Sequence, residues 1–370
     1  MQAILTVRSP CWKLSGMGIE EYDDTIEVRP DERFESGKLR EYLQGRLEGV
    51  DKPLKVRQFG GGAANLTYLL DFGGRQYVLR RPPLGPVAAK AHDMSREFKV
   101  LSVLYKAFPP APRAHLLCQD ESVIGAPFFI MERRSGLVVR REMPRFFRDV
   151  PGAGLRMSEA MVDTLVDLHS VDYASLGLED LGRPEGFIER QVKGWHKRWT
   201  QAQDQERPEM DALYRWLREH LPSRSDHTLV HNDYKLDNLM WADDDPSRVV
   251  AVFDWDMCTL GDPLSDVGAM LAYWSQPDDP PQLRAMAMMP AKGFPSRQEL
   301  IKRYCDRSGR SAPQVRFYYV LGLFRVAVIV AQIYIRYLRG QTQDQRFAAL
   351  GAMIPLLARR ALEISEGRGE

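Results

Sequence analysis

The sequence predicts an α/β (α+β) protein of two unequal lobes, a small antiparallel sheet carrying one main helix and a larger, mostly helical body. Three observations predict it. Short alternating strand patterns crowd the first third, helical periodicity dominates after about residue 150, and the change of style falls near 132–136. With 370 residues, 44% of them hydrophobic and 27% charged, the chain has the length and composition of a globular protein with two sizeable cores. The expected division is a loose extension over 1–22, a first lobe over 23–134 and a second over 135–370.

The amino-terminal stretch MQAILTVRSPCWKLSGMG has neither helical periodicity nor the apolar core of a signal peptide, and Met17 is an alternative start. SGKLREYLQGRL, from 36 to 47, has helical spacing behind Ser36 as a cap. LKVRQF, TYLLDF and RQYVLRRP alternate as strands, with GGGAAN and GG as their turns. SREFKVLSVLYKAF returns to helical spacing, and the strand APFFIMERR leads into the junction. Beyond 150 only DHTLV and SRVVAVFDWD break the helical pattern. FYYVLGLFRVAVIVAQIYIRYL is interrupted by Arg325, Gln332 and Arg336, whereas a membrane span needs ~20 nearly uninterrupted apolar residues. A buried helix is expected there, and no membrane span.

The net charge of +1 gives no reason to expect nucleic acid. Its distribution is uneven, because residues 281–370 hold 15 Lys+Arg against 6 Asp+Glu, leaving −8 on residues 1–280. Cys11, Cys118, Cys258 and Cys305 form no C-x-x-C pair, so neither a zinc site nor a disulfide framework is indicated, and a reducing cytoplasm fits.

The densest polar stretch is HNDYKLDNLMW, residues 231–241, set between two apolar strands. Asp233 is followed five residues on by Asn238, and Asp254 ends the strand VVAVFD. A hairpin made by the flanking strands would gather Asp233, Asn238 and Asp254 at one end. Hard side-chain oxygens from Asn and Asp suit Mg²⁺, and a remaining carboxylate can take a proton from a hydroxyl. An ordinary hydrogen-bonded turn is the other reading of the loop taken alone.

His231, Asp233 and Asn238 resemble the catalytic loop of the protein-kinase-like superfamily, with Asp254 in the place of its metal-binding aspartate. HNDYKLDN followed by FDWDMCTLGDPLSDVG is similar to the aminoglycoside phosphotransferase family. GGGAANLTYLL, YVLRRPP, REFKVL, ERQVKGWHKRW and FRVAVIVAQIYIRY resemble the branch containing the kinase domains of acyl-CoA dehydrogenase family members ten and eleven. The chain stops at 370, so no dehydrogenase domain is expected to follow.

The resemblance implies ATP and Mg²⁺ as cofactors, Asp233 as base, Lys235 on the moving phosphoryl group, and His231 beside them as a brace. It implies Asn238 and Asp254 as metal ligands. Gly60, Gly61, Gly62 and Asn65 would cradle phosphates, Glu97 would orient a basic residue on the neighbouring strand, and the backbone near Glu132 would meet adenine. Arg80 departs from the pattern, standing where kinases carry a lysine; Arg81 alongside is the alternative, and strand alternation puts the two on opposite faces without saying which points inward. The choice of ATP over GTP is a family expectation.

GDP begins only seven positions after Asp254 and no A-P-E sequence follows, which points to a small-molecule hydroxyl acceptor rather than a peptide. The helices over 185–220 and 314–362 would build its pocket, with Trp195 and Trp199 as an aromatic face or as core. The carboxyl-terminal surplus, including Arg303, Arg316, Arg325, Arg336 and Arg339, favours an anionic acceptor. A buried Arg325 requires an anionic partner, from the acceptor or from a protein carboxylate. The branch implies a hydroxyacyl-CoA or 4-hydroxy acid; an aminoglycoside kinase and a catalytically silent nucleotide-binding module are the alternatives.

Overall fold

Alternating apolar and polar residues build a six-stranded sheet in the first lobe, its neighbours antiparallel throughout. The computed structural model describes residues 24–60, 65–83, 93–140, 142–223, 225–286, 293–342 and 344–368, so the expected extension and Gly61 and Gly62 lie outside the described residues. The strands are β1 (Thr25–Ile26), β2 (Lys55–Phe59), β3 (Leu66–Phe72), β4 (Arg75–Arg81), β5 (Ala114–Cys118) and β6 (Phe128–Glu132), in the order β1-β2-β3-β4-β6-β5. Gly73 and Gly74 close the β3–β4 hairpin with φ of 67° and 103°, a two-residue turn that needs positive φ at both positions.

Strand alternation on β4 decides what the two arginines can reach. Tyr77 and Leu79 pack with Leu39 and Leu43 of α1 (Ser36–Leu43) on one face. Val78 lies on the other, packed with Met94 and Val100 of α2 (Met94–Leu104), and Arg80 follows it in register. Ser36 is the first helical residue and not a cap; Glu35 precedes it without a side-chain bond, and α1 stops at Leu43, two residues before Gly45 at φ 72°. Asp93 caps α2 by accepting from Ser95 N at 2.9 Å.

The α2 face of the sheet shares one continuous core with the second lobe. Arg96 fastens the two by donating to the carbonyls of Leu181 (2.7 Å) and Cys258 (2.9 Å). The second lobe contains α3 (Ala153–His169), α4 (Phe187–Ala202), α5 (Pro208–Glu219), α6 (Leu264–Tyr273), α7 (Pro281–Met286), α8 (Arg297–Ser308), α9 (Val315–Leu338) and α10 (Met353–Ser365). Helix α9 is long and apolar enough to cross a membrane by length and composition, yet 72% of its most apolar window is buried in the protein. Helices α4, α5, α6 and α10 surround it. Where α6 and α9 cross, a Cβ on Gly268 would stand 2.2 Å from the Tyr318 carbonyl, and one on Gly322 would stand 2.3 Å from the Gly268 carbonyl. Only glycine allows backbones so close.

The hairpin expected around the polar loop does not form as drawn. After β7 (Leu137–Val138), the remaining strands are β8 (Thr228–Val230), β9 (Leu239–Trp241), β10 (Val249–Val252) and β11 (Thr259–Gly261). Strand β8 pairs with β11, while β10 pairs with β9, which also pairs with β7. The chain therefore leaves one ribbon at residue 230 and enters the other at 239, and a positive-φ turn at Asp254 (φ 67°) sends it back beside β8.

Candidate active site

The loop between β8 and β9 is hung from one buried carboxylate. Asp266, on the first turn of α6, accepts from the backbone N–H groups of His231 and Asn232 at 2.7 Å each and meets His169 Nε2 at 3.2 Å. Burial opposes its charge, but the His169 bond and the neighbouring donors hold the carboxyl below the ordinary range. Asp262 starts the same helix, accepting from Leu264 N at 2.9 Å and from the Tyr318 hydroxyl at 2.7 Å. Asn232 has φ 64°, a left-handed conformation open to Gly, Asn and Asp, which suits an asparagine at this turn.

His231 is fully buried with both ring nitrogens engaged, Nε2 donating to the Phe253 carbonyl (2.8 Å) and Nδ1 accepting from Asp233 N (3.2 Å). It braces the loop. Asn238 turns its amide nitrogen onto both the carbonyl and Oδ2 of Asp233, each at 2.8 Å. Lys235 Nζ lies 2.9 Å from Asp233 Oδ2 and 5.2 Å from the centre of the Tyr273 ring. Burial works against that ammonium, but Asp233 and Tyr273 raise its pKa well above the ordinary lysine value. Phe253 N donates to the Asn238 carbonyl at 2.8 Å, which brings Asp254 alongside.

Arg80 reaches across from the sheet. Its Nη1 lies 3.0 Å from Glu97 Oε1 and its Nη2 pairs with Asp254 Oδ1. Arg81 points the other way, donating to the Ile124 carbonyl at 3.0 Å. Burial pushes the Glu97 carboxyl up to about 7 against the pull of Arg80. Asp254 is desolvated too, yet Arg80 keeps its carboxyl below the ordinary range. Asp256 faces the same cluster; burial and then Asp254 push its carboxyl up to about 6.

Among the described residues no group of three or more His, Cys, Asp or Glu forms a self-contained metal cage. What is present fits an ion that takes the rest of its shell from phosphate and water. Asn238 Oδ1 and Asp254 Oδ2 are hard oxygens, and neither has a protein donor among the described residues.

The other expected nucleotide contacts are more scattered. Gly60 ends the β2 turn, where a Cβ would make only ordinary contact with Ile26, so packing does not demand glycine. Asn65 is buried at the start of β3. Glu132 already spends its N–H on the Arg113 carbonyl (2.9 Å) and its side chain on Arg134 (3.0 Å).

On the acceptor side Trp195 and Trp199 are both core. Arg325, 6% exposed, has no carboxylate within ion-pair distance among the described residues; it donates to the Asn232 carbonyl and lies over Trp195. Much of the carboxyl-terminal positive surplus is spent inside the protein. Arg303 pairs with Glu159 and Asp163 (2.7 Å each), Arg310 with Asp226, Arg359 with Glu209 and Arg297 with Asp279. The acidic 1–280 portion neutralises it, so regional charge says less about the acceptor than the sequence suggested. Behind Tyr273 lies a cavity of about 80 Å³ lined by Trp274, Tyr319, Leu323 and Leu357, where Arg297 and Arg360 both clamp Asp279.

A two-lobed kinase-like fold with an aspartate, a lysine and two metal-competent oxygens on one loop system defines a small-molecule phosphotransferase. The chain matches the phosphotransferase enzyme family over residues 55–300 and belongs to it. It is 35% identical over 356 residues to human acyl-CoA dehydrogenase family member 11, covering 93% of this chain and 44% of that protein. It is 34% identical to mouse acyl-CoA dehydrogenase family member 10, over 94% of this chain and 32% of that one. The chain thus spans less than half the length of these relatives. A solved structure from Ralstonia eutropha, assigned as an aminoglycoside phosphotransferase, superposes with a TM-score of 0.77 at 32% identity, covering 91% of this chain and 100% of that one.

Proposed function

We propose that the protein transfers the γ-phosphoryl group of ATP to a hydroxyl of a small acceptor, and that the acceptor is a hydroxyacyl-CoA or the related 4-hydroxy acid. The observation that carries the transfer is the convergence of Asp233, Lys235, Asn238, Asp254 and the Arg80–Glu97 pair from four separate segments. Asp233 accepts the acceptor's proton as its oxygen attacks the γ-phosphorus and the bond to the β–γ bridging oxygen breaks, releasing ADP. Lys235, held charged, faces the phosphoryl group in transit. Arg80, fixed by Glu97, presents its fork to the phosphates. Gly60 and Asn65 line the phosphate side, and the backbone after Glu132 receives adenine. When bound, Mg²⁺ neutralises phosphate charge; Asn238 and Asp254 would hold it.

The acyl-CoA acceptor is supported by similarity to proteins named for acyl-CoA dehydrogenation. Phosphorylating a 4-hydroxyl would prepare it as a leaving group ahead of breakdown, in a reducing cytoplasm. The test is ATP consumption with 4-hydroxyacyl-CoA, the free hydroxy acid and kanamycin side by side. Turnover of the thioester or the acid is expected. Robust turnover of kanamycin with neither of the others overturns the acceptor, and nucleotide binding without any transfer would mark a silent module.

A further inference from the structure

A buried guanidinium normally has an anionic partner, because desolvating a lone charge is costly. Arg325 is buried without one among the described residues, and its single hydrogen bond there goes to the Asn232 carbonyl. An arginine has five N–H donors, so most of this fork is unspent. None of its remaining nitrogens is sealed away from solvent in the manner of the orphaned nitrogens of Arg81 or Arg133. A second cation stands beside it. Arg198, exposed on α4, lies 4.4 Å from the centre of the Trp195 ring, and Arg325 lies 5.1 Å from the same centre. Arg198 has no carboxylate in ion-pair range among the described residues either. Two guanidiniums therefore share one indole, although like charges repel. The nearest carboxylates are already committed, Asp233 to Lys235 and Asn238, and Asp266 to the loop backbone and His169. By contrast, the arginines of the cavity behind Tyr273 already have Asp279.

We propose that Arg325 and Arg198, gathered on Trp195, form an anion subsite for the acceptor, placed one residue from the base so that the acceptor carries an oxyanion close to its reacting hydroxyl. The Asn232 carbonyl that Arg325 grips belongs to the residue preceding Asp233, and adjacent Cα atoms are about 3.8 Å apart. The oxyanion nearest the reacting hydroxyl is the carboxylate of a free hydroxy acid; in a thioester the coenzyme phosphates reach the subsite only with the pantetheine arm folded back. This inference rests on the phosphotransferase reading, since it needs Asp233 to face an acceptor.

The test compares four acceptors: 4-hydroxypentanoate, 4-hydroxypentanoyl-CoA, neutral 4-hydroxypentanamide and kanamycin. Each is run with the unaltered protein, Arg198→Gln and Arg325→Gln. One charge-assisted bond is worth about tenfold or more in affinity. Each substitution is expected to raise KM at least about tenfold for whichever anionic acceptor is used, and Arg198→Gln to leave the amide within about twofold. A loss confined to the acid identifies a carboxylate, and one confined to the thioester identifies the coenzyme phosphates. Arg325→Gln also slackens the Asp233 loop, so Arg198→Gln, away from that loop, decides. Equal effects on acid, thioester and amide, or a preference of the unaltered protein for the amide or kanamycin, overturn the subsite and leave the transfer standing. Absence of transfer to all four overturns the transfer reading and the subsite with it.

Discussion

Replacing Arg80 by methionine should separate structural cost from chemical cost. The side chain of Arg80 is 10% exposed and that of Glu97 1%, so solvent screens their 3.0 Å pair little. Removing one partner of a buried pair costs about 3–5 kcal/mol, because the other charge is stranded. Glu97 can escape by taking up a proton, its carboxyl already being pushed up to about 7, and this draws the expected loss toward the lower end, about 3 kcal/mol. Asp254, with 30% side-chain exposure, adds less because water reaches it. Urea unfolding at pH 7.5 of the unaltered protein, Arg80→Met, Glu97→Leu and the double variant completes the cycle. The double variant should recover at least half of the loss of Arg80→Met while remaining inactive with ATP. Arg80→Lys should keep partial activity, since an ammonium preserves the charge without the fork that spans both carboxylates. Simple addition of the two single losses in the double variant would refute the pairing, and Arg81→Met as the more damaging change to ATP use would refute the register.

Asp233→Asn is expected to lose about 10²–10⁴-fold in turnover while nucleotide affinity is kept; unimpaired turnover removes Asp233 from the chemistry. Asp254→Ala should abolish the Mg²⁺ dependence of nucleotide binding, read by titration with and without the ion. Asp266 has a folded-state pKa below its unfolded value, so its stabilisation is complete above the unfolded value and fades as pH falls through the folded one. The unaltered protein should therefore lose stability below about pH 4. Asp266→Asn should cost about 1–3 kcal/mol at pH 7 and show a flatter acid limb, because an amide cannot accept from both loop N–H groups and His169 as the carboxylate does.

The residues of the candidate site were legible in the sequence because they are local. Asp233, Lys235 and Asn238 share one turn, and Asp254 follows a strand whose apolar run marks it. The pairing of the strands was not, since periodicity shows that a segment is a strand and not which partner it takes; β8 chose β11 after Asp254. The Arg80 or Arg81 question was settled only by the cross-strand neighbours that fix which face each side chain takes. The left-handed Asn232 could have been read from its residue type, which favours such geometry. The basic surplus alone is a weak guide to the acceptor because it counts charges without their partners, and partners more than a hundred residues away, such as Asp163 for Arg303, are visible only in three dimensions.

The glycine crossing of Gly268 and Gly322 bears on how such a protein can change what it accepts. Helix α6 carries Asp266, which suspends the catalytic turn, and Tyr273, which lies against Lys235. Helix α9, locked to it backbone against backbone, carries Arg325. A drift of either helix would move the 231–238 loop and Arg325 out of register, so, on the proposed reading, selection for a new substrate has no freedom to slide this wall. It must instead exchange side chains on a wall that stays put, as letters are changed in a fixed line of type.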